Sequence, residues 1–290
     1  MEASGLLKLS SITRPWMRNK TPVFYRLAKL LLAVFCPKGR RHERLIVHTV
    51  PGGRMALDLN ASLEYTLFFR GCHEPEIGSL IRRSAPEGGT CLDVGANVGA
   101  HTLVMARAVG PKGRVVALEP HPEIAERLRR NLALNDLGQV EVVQAALWDS
   151  DGRKTLHGFA RGAFQQGISS LVAEESAGES LEVATVTAKT LQSAHGLSRC
   201  DLVKIDAEGA EPAILRELDP LIERSRPCLI FEIRRASWEK QGEDLGRVLR
   251  RLRELDYELH TVRRDATTAL VGDPPASCEL YCVPRRRARS

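Results

Sequence analysis

The segment of residues 90–102, which reads T-C-L-D-V-G-A-N-V-G-A-H-T, constrains the fold more than any other part of the sequence. An apolar run leads into Asp93, glycines follow at positions 95 and 99, and the next seven residues have helical composition. Strand, glycine turn and helix in this order bring the backbone of an α/β protein against a nucleotide-like ligand. Alone, this pattern is weak evidence for a ligand site, because a plain strand-to-helix turn also uses glycine.

Beyond residue 90, apolar runs alternate with segments of helical periodicity, which predicts a mostly parallel sheet with right-handed crossovers. The predicted strands are 90–94, 114–119, 140–145, 201–206 and 228–233, with late strands near 257–262 and 279–283. The predicted helices are 75–85, 98–109, 122–134, 189–195, 210–224 and 243–255. Residues 44–60 are predicted to form a hairpin, and the Gly-, Ser- and Gln-rich segment 149–182 a β-insertion or loop excursion.

The charge of the chain is concentrated at its two ends. Of the net charge of +6, residues 1–44 supply about +8 and residues 284–290 about +4, which leaves residues 45–283 near −6. An acidic body argues against a nucleic-acid-binding core. We therefore divide the chain into a basic, partly helical extension (1–44), a hairpin and helix (45–85), a core domain (86–284) and an Arg-rich tail (285–290).

The N-terminal extension allows two interpretations. Its apolar run 23–36 is too short to cross a bilayer, which takes about 20 residues. It is predicted either as an amphipathic helix that docks on its own domain or a partner subunit, or as a peripheral contact with an anionic membrane. The seven cysteines include no C-x-x-C pair. A reducing compartment, the cytoplasm, is therefore expected.

The predicted strands end in carboxylates or other polar groups, which would meet at one edge of the sheet. Glu119 follows the glycine turn by about twenty residues, where an acidic side chain accepts the hydroxyl groups of a ribose. Two details favour a methyl donor over a dinucleotide. Asn97 replaces the second glycine of G-x-G-x-x-G, and a carboxylate at Asp93 suits a cationic amino-acid end but repels phosphate. Trp148 and Asp149 are candidates for packing and binding an adenine, and His101 is a weaker candidate for a base.

A second polar cluster ends the fourth predicted strand. Lys204, Asp206 and Glu208 alternate along it, so they are predicted to face one side. The lysine would keep the carboxylates ionised, while Asp206 or Glu208 takes a proton from an attacking hydroxyl. Alternatively, Asp206 and Glu208 together with Glu232 would hold a divalent cation through oxygen ligands.

Together these residues resemble the FkbM-type methyltransferases over roughly residues 86–233. The motifs that carry the resemblance are Asp93-Val-Gly-Ala-Asn-Val-Gly99 with Thr102, Leu118-Glu119-Pro120, Asn131-x-x-x-Asn135, Ala146-Leu147-x-Asp149-x-x-Gly152, Ser169-Ser170-Leu171 and Lys204-Ile-Asp-Ala-Glu-Gly-Ala-Glu211. One departure is Gln192, where the family tends to have aspartate.

The resemblance implies a Rossmann-like class I methyltransferase fold: a mostly parallel seven-stranded sheet with helices on both faces. It also implies S-adenosylmethionine as cofactor and a hydroxyl oxygen of a small molecule or sugar as acceptor. The residues that it assigns to the cofactor are Asp93, Gly95, Asn97, Gly99 and Glu119, with Asp149 near the adenine. It places Lys204, Asp206 and Glu208 at the reaction centre.

The sequence leaves two rival functions. A Rossmann NAD-dependent oxidoreductase or epimerase would need a Tyr-x-x-x-Lys pair in its core domain, and residues 86–284 contain none; the spacing occurs only at Tyr25 and Lys29, in the N-terminal extension. A catalytically inactive methyltransferase-like module would instead bind a partner through its basic ends. We expect the enzyme, an S-adenosylmethionine-dependent O-methyltransferase, with no nucleic-acid partner.

Overall fold

The structure is a computed structural model that describes residues 45–49, 53–159, 170–172, 179–263 and 266–285. The predicted N-terminal extension, most of the Arg-rich tail and the middle of the insertion lie outside the described residues. The membrane or subunit contact predicted for residues 1–44 therefore stays a prediction. No helix within the described ranges is long and apolar enough to cross a membrane.

Strands and helices alternate through most of the described chain. The strands are β1 (Leu45–Thr49), β2 (Gly53–Leu57), β3 (Thr90–Val94), β4 (Arg114–Leu118), β5 (Val140–Val143), β6 (Ala146–Leu147), β7 (Gly152–Phe159), β8 (Glu179–Val186), β9 (Leu202–Ile205), β10 (Cys228–Arg234), β11 (Tyr257–Arg263), β12 (Ala266–Ala269) and β13 (Ser277–Pro284). The helices are α1 (Ser62–Arg70), α2 (Pro75–Ser84), α3 (Ala100–Val109), α4 (Pro122–Ala133), α5 (Ala188–His195), α6 (Glu211–Ser225), α7 (Arg235–Lys240) and α8 (Leu245–Glu254).

The central sheet confirms the predicted Rossmann-like α/β class. Its strand order is β12-β11-β13-β10-β9-β3-β4-β5. The five strands from β10 to β5 run parallel, and β13 is antiparallel to both of its neighbours. The chain moves outward from β3 in one direction and resumes at β9 on its other side, so the order reverses between these two strands. Ligands of open α/β sheets bind at such a reversal.

Both faces of the sheet are covered, because side chains alternate along each strand. The side chains of Cys91, Val115, Leu202 and Ile230 pack on the α2 and α3 side. Their neighbours Leu92, Val116, Val203 and Leu229 pack on the opposite side, against α5, α6 and α8. Near-continuous apolar strands are typical of a parallel sheet buried on both faces.

The predicted hairpin forms as β1 and β2 and is fastened to α4. Asn131 accepts a hydrogen bond from the Ala56 N–H at 2.8 Å and donates one to the Val98 carbonyl at 2.9 Å. Asn135 accepts a hydrogen bond from the Arg54 N–H at 2.7 Å. The two asparagines thus join the hairpin to the element that follows β4.

Two details differ from the predictions. The described part of the central sheet has eight strands rather than seven, because β12 pairs with β11 at the edge. Residues 62–70, which lie outside the predicted strands and helices, form α1, which buries Phe68 and Phe69. The insertion, predicted as a β-insertion or a loop excursion, contributes to a separate sheet of order β6-β8-β7. Helix α1 has no side-chain cap, so its start carried no signal in the sequence.

Candidate active site

A cavity of about 790 Å³ opens where the parallel strands end. The predicted site residues that line it are Gly95, Asn97, Glu119, Lys204, Asp206, Glu208 and Glu232. The predicted residues that do not line it are Asp93, Gly99 and Asp149. Its volume is in the range of sites that hold small ligands and cofactors.

The glycine turn ties together the ends of β3, β4 and β9. Gly95 has a φ of +78°, and a Cβ atom there would lie 1.9 Å from the backbone carbonyl oxygen of Asp206. The N–H groups of Gly95 and Ala96 both donate to the Leu118 carbonyl, at 3.0 and 2.9 Å. Gly99 also has a positive φ, and a Cβ atom there would lie 2.5 Å from Leu128 Cδ1. The first glycine therefore serves the site, and the second serves packing against α4.

Glu119 is held at the end of β4 by the turn. One carboxylate oxygen accepts the N–H of Asn97 and the other that of His121, each at 2.9 Å. The side chain is only 6% exposed, and this burial raises its pKa to about 7 against the two N–H groups, which lower it. Each oxygen keeps capacity for a further hydrogen bond, as two hydroxyl groups of a ribose require.

Asp93 is not among the residues that line the cavity, and its predicted contact with the cofactor stays a prediction. It is fully buried, and its Cα pairs with that of Lys204 across β3 and β9. Its carboxylate accepts the Thr102 hydroxyl at 2.7 Å and lies 3.8 Å from Lys204 Nζ. Burial raises the pKa of Asp93, opposed by the lysine. Asp93 therefore positions Lys204 and the start of α3.

Lys204 and Asp206 form a charged pair at the end of β9. Lys204 is 4% exposed, and its Nζ lies 3.2 Å from Asp206 Oδ2. Burial opposes the ammonium, but Asp206 and Asp93 outweigh it, so the pKa of Lys204 is raised. Burial likewise opposes the Asp206 carboxylate, yet the lysine lowers its pKa. Both groups are charged at neutral pH.

Glu208 lines the same cavity. It does not do so by alternating with Lys204 and Asp206 along a strand, as the sequence predicted. Strand β9 ends at Ile205, and Glu208 has a φ of +51° in the following turn. Its carboxylate forms an ion pair with Arg234, which also contacts Glu232 at 2.7 Å. Burial raises the pKa of Glu208 to about 7 and also raises that of Glu232.

This pairing bears on the predicted alternative of a metal site. Arg234 forms ion pairs with Glu208 and Glu232, which are two of the three proposed metal ligands. Within the described ranges, no group of three or more His, Cys, Asp or Glu side chains is placed to hold a metal ion. The structure therefore does not bring Asp206, Glu208 and Glu232 together as a metal-binding set.

Several lining residues were not predicted. Glu279 on β13 faces Glu232 across the strand pair, and Glu74 precedes α2 with a φ of +37°. His73 is a further unpredicted lining residue; it lies beside His101, the weaker candidate for a base, which is in the first turn of α3, lines the cavity and is 5% exposed. No local motif marks Glu279 or Glu74, because the topology alone brings β13 and α2 to this edge.

The two residues predicted to contact an adenine, Trp148 and Asp149, do not line the cavity. Asp149 is exposed and accepts a hydrogen bond from Ser150. Lys154 Nζ lies 4.2 Å from the centre of the Trp148 ring, and neither residue lines the cavity. After β6 the chain enters the insertion sheet. Residues 145–147 line this part of the cavity, together with Leu156 and Leu171 from the insertion.

The sequence of residues 93–259 matches the Methyltransferase FkbM domain, which is more than half of the chain. The chain belongs to the FkbM methyltransferase family. The resemblance stated from the motifs is thereby confirmed, and with it S-adenosylmethionine as the predicted cofactor.

Curated relatives of this FkbM chain are also methyltransferases by name. Methyltransferase sdnD of Sordaria araneosa is 33% identical over 159 residues, which cover 44% of this chain and 60% of that protein. Methyltransferase 1 of Beauveria bassiana is 29% identical over 153 residues, which cover 46% and 60%. The chain thus spans about 60% of the length of these relatives.

Solved structures with a similar fold include FkbM from Methylobacillus flagellatus, which is 13% identical with a TM-score of 0.43. The match covers 74% of this chain and 52% of that one. An O-methyltransferase from Bacillus cereus, solved in complex with SAH, is 20% identical with a TM-score of 0.41. That match covers 73% of this chain and 82% of the other.

The residues of the cavity fit S-adenosylmethionine. The Gly95 position leaves no room for a side chain beside Asp206, so the backbone itself forms this part of the wall. Glu119 presents unused acceptor capacity from β4. Gly95, Asn97 and Glu119 line the cavity and are the residues that would hold the cofactor.

Proposed function

We propose that this FkbM-family chain is an S-adenosylmethionine-dependent methyltransferase that methylates a hydroxyl oxygen of a small molecule or sugar. One observation carries the proposal: Glu119 and Asp206 face the same cavity from opposite sides of the glycine turn. On one side Glu119 would bind the ribose of the methyl donor. On the other side the ionised Asp206 would bind the hydroxyl group of the acceptor.

On the donor side, Glu119 accepts the ribose hydroxyl groups, and the turn from Gly95 to Asn97 forms the adjoining wall. The backbone N–H groups of Asn97 and His121 fix the Glu119 carboxylate before the cofactor arrives. When bound, the cofactor supplies an electrophilic methyl group. Because this carboxylate is already oriented, little side-chain entropy is lost on binding.

On the acceptor side, Asp206 accepts the hydrogen bond of the reacting hydroxyl group and then its proton. The Asp206 side chain is 33% exposed, so one face of the carboxylate is open to the cavity. Lys204 keeps it ionised. A carboxylate of lowered pKa suffices as the base here. The proton of the hydroxyl group becomes strongly acidic as its oxygen gains the methyl group.

Alignment of the acceptor supplies much of the rate, since holding two reactants in line replaces the entropy cost of their encounter. Lys204 is a positioning residue in this account. It is buried between Asp93 and Asp206 and fixes the direction of the second carboxylate.

The substitution Asp206→Asn tests the assignment. We expect methyl transfer to fall by about 100-fold or more, the range of a general base, while affinity for S-adenosylmethionine is nearly unchanged. The matched control is Asp273→Asn, which alters a side chain that is 79% exposed. Labelled-methyl transfer to a metabolite extract and calorimetry with the cofactor provide the two measurements. Full transfer activity in Asp206→Asn would overturn the role of this carboxylate.

A further inference from the structure

Carboxylates other than Glu119 also line the cavity, and five of them form an acidic wall. This acidic wall consists of Glu74 before α2, Asp206 and Glu208 after β9, Glu232 on β10 and Glu279 on β13. It lies on the β9 side of β3, whereas Glu119 lies on the β4 side. Under the proposed function, on which this inference rests, the acidic wall therefore bounds the acceptor rather than the ribose.

The cations among these carboxylates are already paired. Lys204 lies between Asp206 and Asp93, and Arg234 contacts both Glu208 and Glu232. Arg70, which also lines the cavity, has an interaction of its own. An anionic acceptor would therefore have to displace an existing ion pair. The wall and Asp93 together contribute six carboxyl groups, against three cationic side chains that line the cavity, Arg70, Lys204 and Arg234.

Glu279 shows the effect of this excess most clearly. Within the described part of the chain its carboxyl group has no hydrogen bond or ion pair. Burial, followed by the charges of Asp206, Glu74 and Glu232, raises its pKa to about 9 against the opposing effect of Lys204. A positive charge brought in by a ligand would favour the ionised form and relieve this repulsion.

His101 gives an independent sign that this space receives a ligand. The side chain is 95% buried, lines the cavity, and its Nε2 has no hydrogen-bond partner among the described residues. Burial, with the charges of Lys204 and His73, holds its pKa well below the usual range, so the ring is neutral. The ring also interacts with the backbone of His73 and Glu74. Its Nε2 lies 3.9 Å from Glu74 Oε2, which is beyond hydrogen-bond distance.

The open groups here are thus acceptors and negative charges. A metal ion would neutralise them only if several ligands converged, and no such group exists within the described residues. An organic cation distributes its contacts over a wider surface. We propose that the acceptor is a hydroxyl compound that also carries an ammonium group, such as an amino sugar or an amino alcohol, with the ammonium group against the acidic wall.

The acidic wall also explains which atom receives the methyl group. Nearby carboxylates keep the amine protonated, so its nitrogen has no lone pair for attack. The methyl group passes from the donor sulfur to the hydroxyl oxygen, the electron pair of the broken S–C bond stays on sulfur, and the hydroxyl proton goes to Asp206. The amine is not methylated in this arrangement.

Three matched probes test the proposal on the full chain saturated with S-adenosylhomocysteine. Choline carries a hydroxyl group and a fixed positive charge, 3,3-dimethyl-1-butanol has the same shape without charge, and hydroxypivalate is an anion. In calorimetric titrations we expect choline to bind at least about tenfold more tightly than the other two. Equal or tighter binding of the alcohol or the anion, or no binding of choline, would overturn the proposal.

A pair of isosteric variants locates the effect. Glu279→Gln should reduce the preference for choline over the alcohol, whereas Glu254→Gln, on the exposed end of α8, should preserve it. Thermal unfolding verifies that both variants are folded. An unchanged preference in Glu279→Gln would remove this residue from the proposed site.

The pH dependence supplies a further test, because the charge of choline is constant. Glu279 faces Glu232 on β10, Asp206 and Lys204 at the end of β9, and Glu74 before α2. Since its pKa is about 9, it ionises as pH rises from 7 to 9, and choline should bind more tightly over that interval. Glu279→Gln should flatten the rise. A rise of equal size in this variant would contradict the assignment.

The controls separate this proposal from the proposed function. If S-adenosylhomocysteine binds and choline is not preferred, the acceptor class is wrong and the methyltransferase proposal stands. If S-adenosylhomocysteine does not bind, both fail.

Discussion

Replacing Gly95 with alanine is expected to damage the site through one defined contact. The new Cβ atom would lie 1.9 Å from the Asp206 carbonyl oxygen, whereas such contacts below 3.0 Å essentially do not occur. The Asp206 backbone must therefore move by about 1 Å. A displacement of that size at a catalytic group costs about 100-fold in rate.

The same substitution also costs stability. Gly95 has a φ of +78°, and an alanine held there loses roughly 1–2 kcal/mol. The clash adds about 1–3 kcal/mol, as overpacking does elsewhere. The expected loss in the free energy of unfolding is therefore about 2–5 kcal/mol.

Gly88→Ala is the matched control, because it imposes the same backbone strain without the clash. Its φ is +72°, and nothing lies within 4 Å of the added Cβ. We expect a loss of only about 1–2 kcal/mol and unchanged affinity for S-adenosylmethionine. Denaturant unfolding and calorimetry compare the two variants. If Gly95→Ala matched Gly88→Ala in both measurements, the proposed contact between the turn and Asp206 would be refuted.

Two further predictions concern the buried charges. Lys204→Met should destabilise the protein by roughly 3–5 kcal/mol, because Asp93 is left buried without its cation. In denaturant unfolding, the double variant that also carries Asp93→Asn should recover much of that loss. No recovery would contradict the pairing of Lys204 with Asp93. Glu119 has a pKa of about 7, and its ionised form is the better acceptor for ribose hydroxyl groups. Affinity for S-adenosylmethionine should therefore fall as pH drops below 7, by up to about tenfold per pH unit, and a flat calorimetric profile in the wild type would refute this role.

The sequence predicted the sheet because the strands are short apolar runs between turn signals. It also predicted that Glu119 and Asp206 lie at the same edge of the sheet, because the ends of parallel strands meet there whatever the details of packing. Both residues line the cavity. The glycine turn could be predicted from the sequence for a physical reason. A Cβ atom at Gly95 would have no room beside Asp206, so the position requires glycine.

Other parts of the site depend on contacts that a linear pattern does not contain. Asp93 occupies the expected position on β3, yet its side chain turns to Lys204 instead of the cavity. Glu279 and Glu74 reach the cavity only because β13 and α2 pack beside β10 and α3. Asp149 was assigned to the adenine because it follows the third predicted strand and because of the family resemblance, but its side chain is exposed and does not line the cavity.

Glu119 is the residue through which we expect this cavity to bind S-adenosylmethionine. The direct measurement is a calorimetric titration of S-adenosylmethionine, and separately of NAD, into the wild type and Glu119→Gln at pH 8. We predict that S-adenosylmethionine binds the wild type, that Glu119→Gln weakens it by about tenfold or more, the cost of a hydrogen bond to a charged group, and that NAD does not bind. Binding of NAD alone, or equal binding of S-adenosylmethionine to both proteins, would contradict the account.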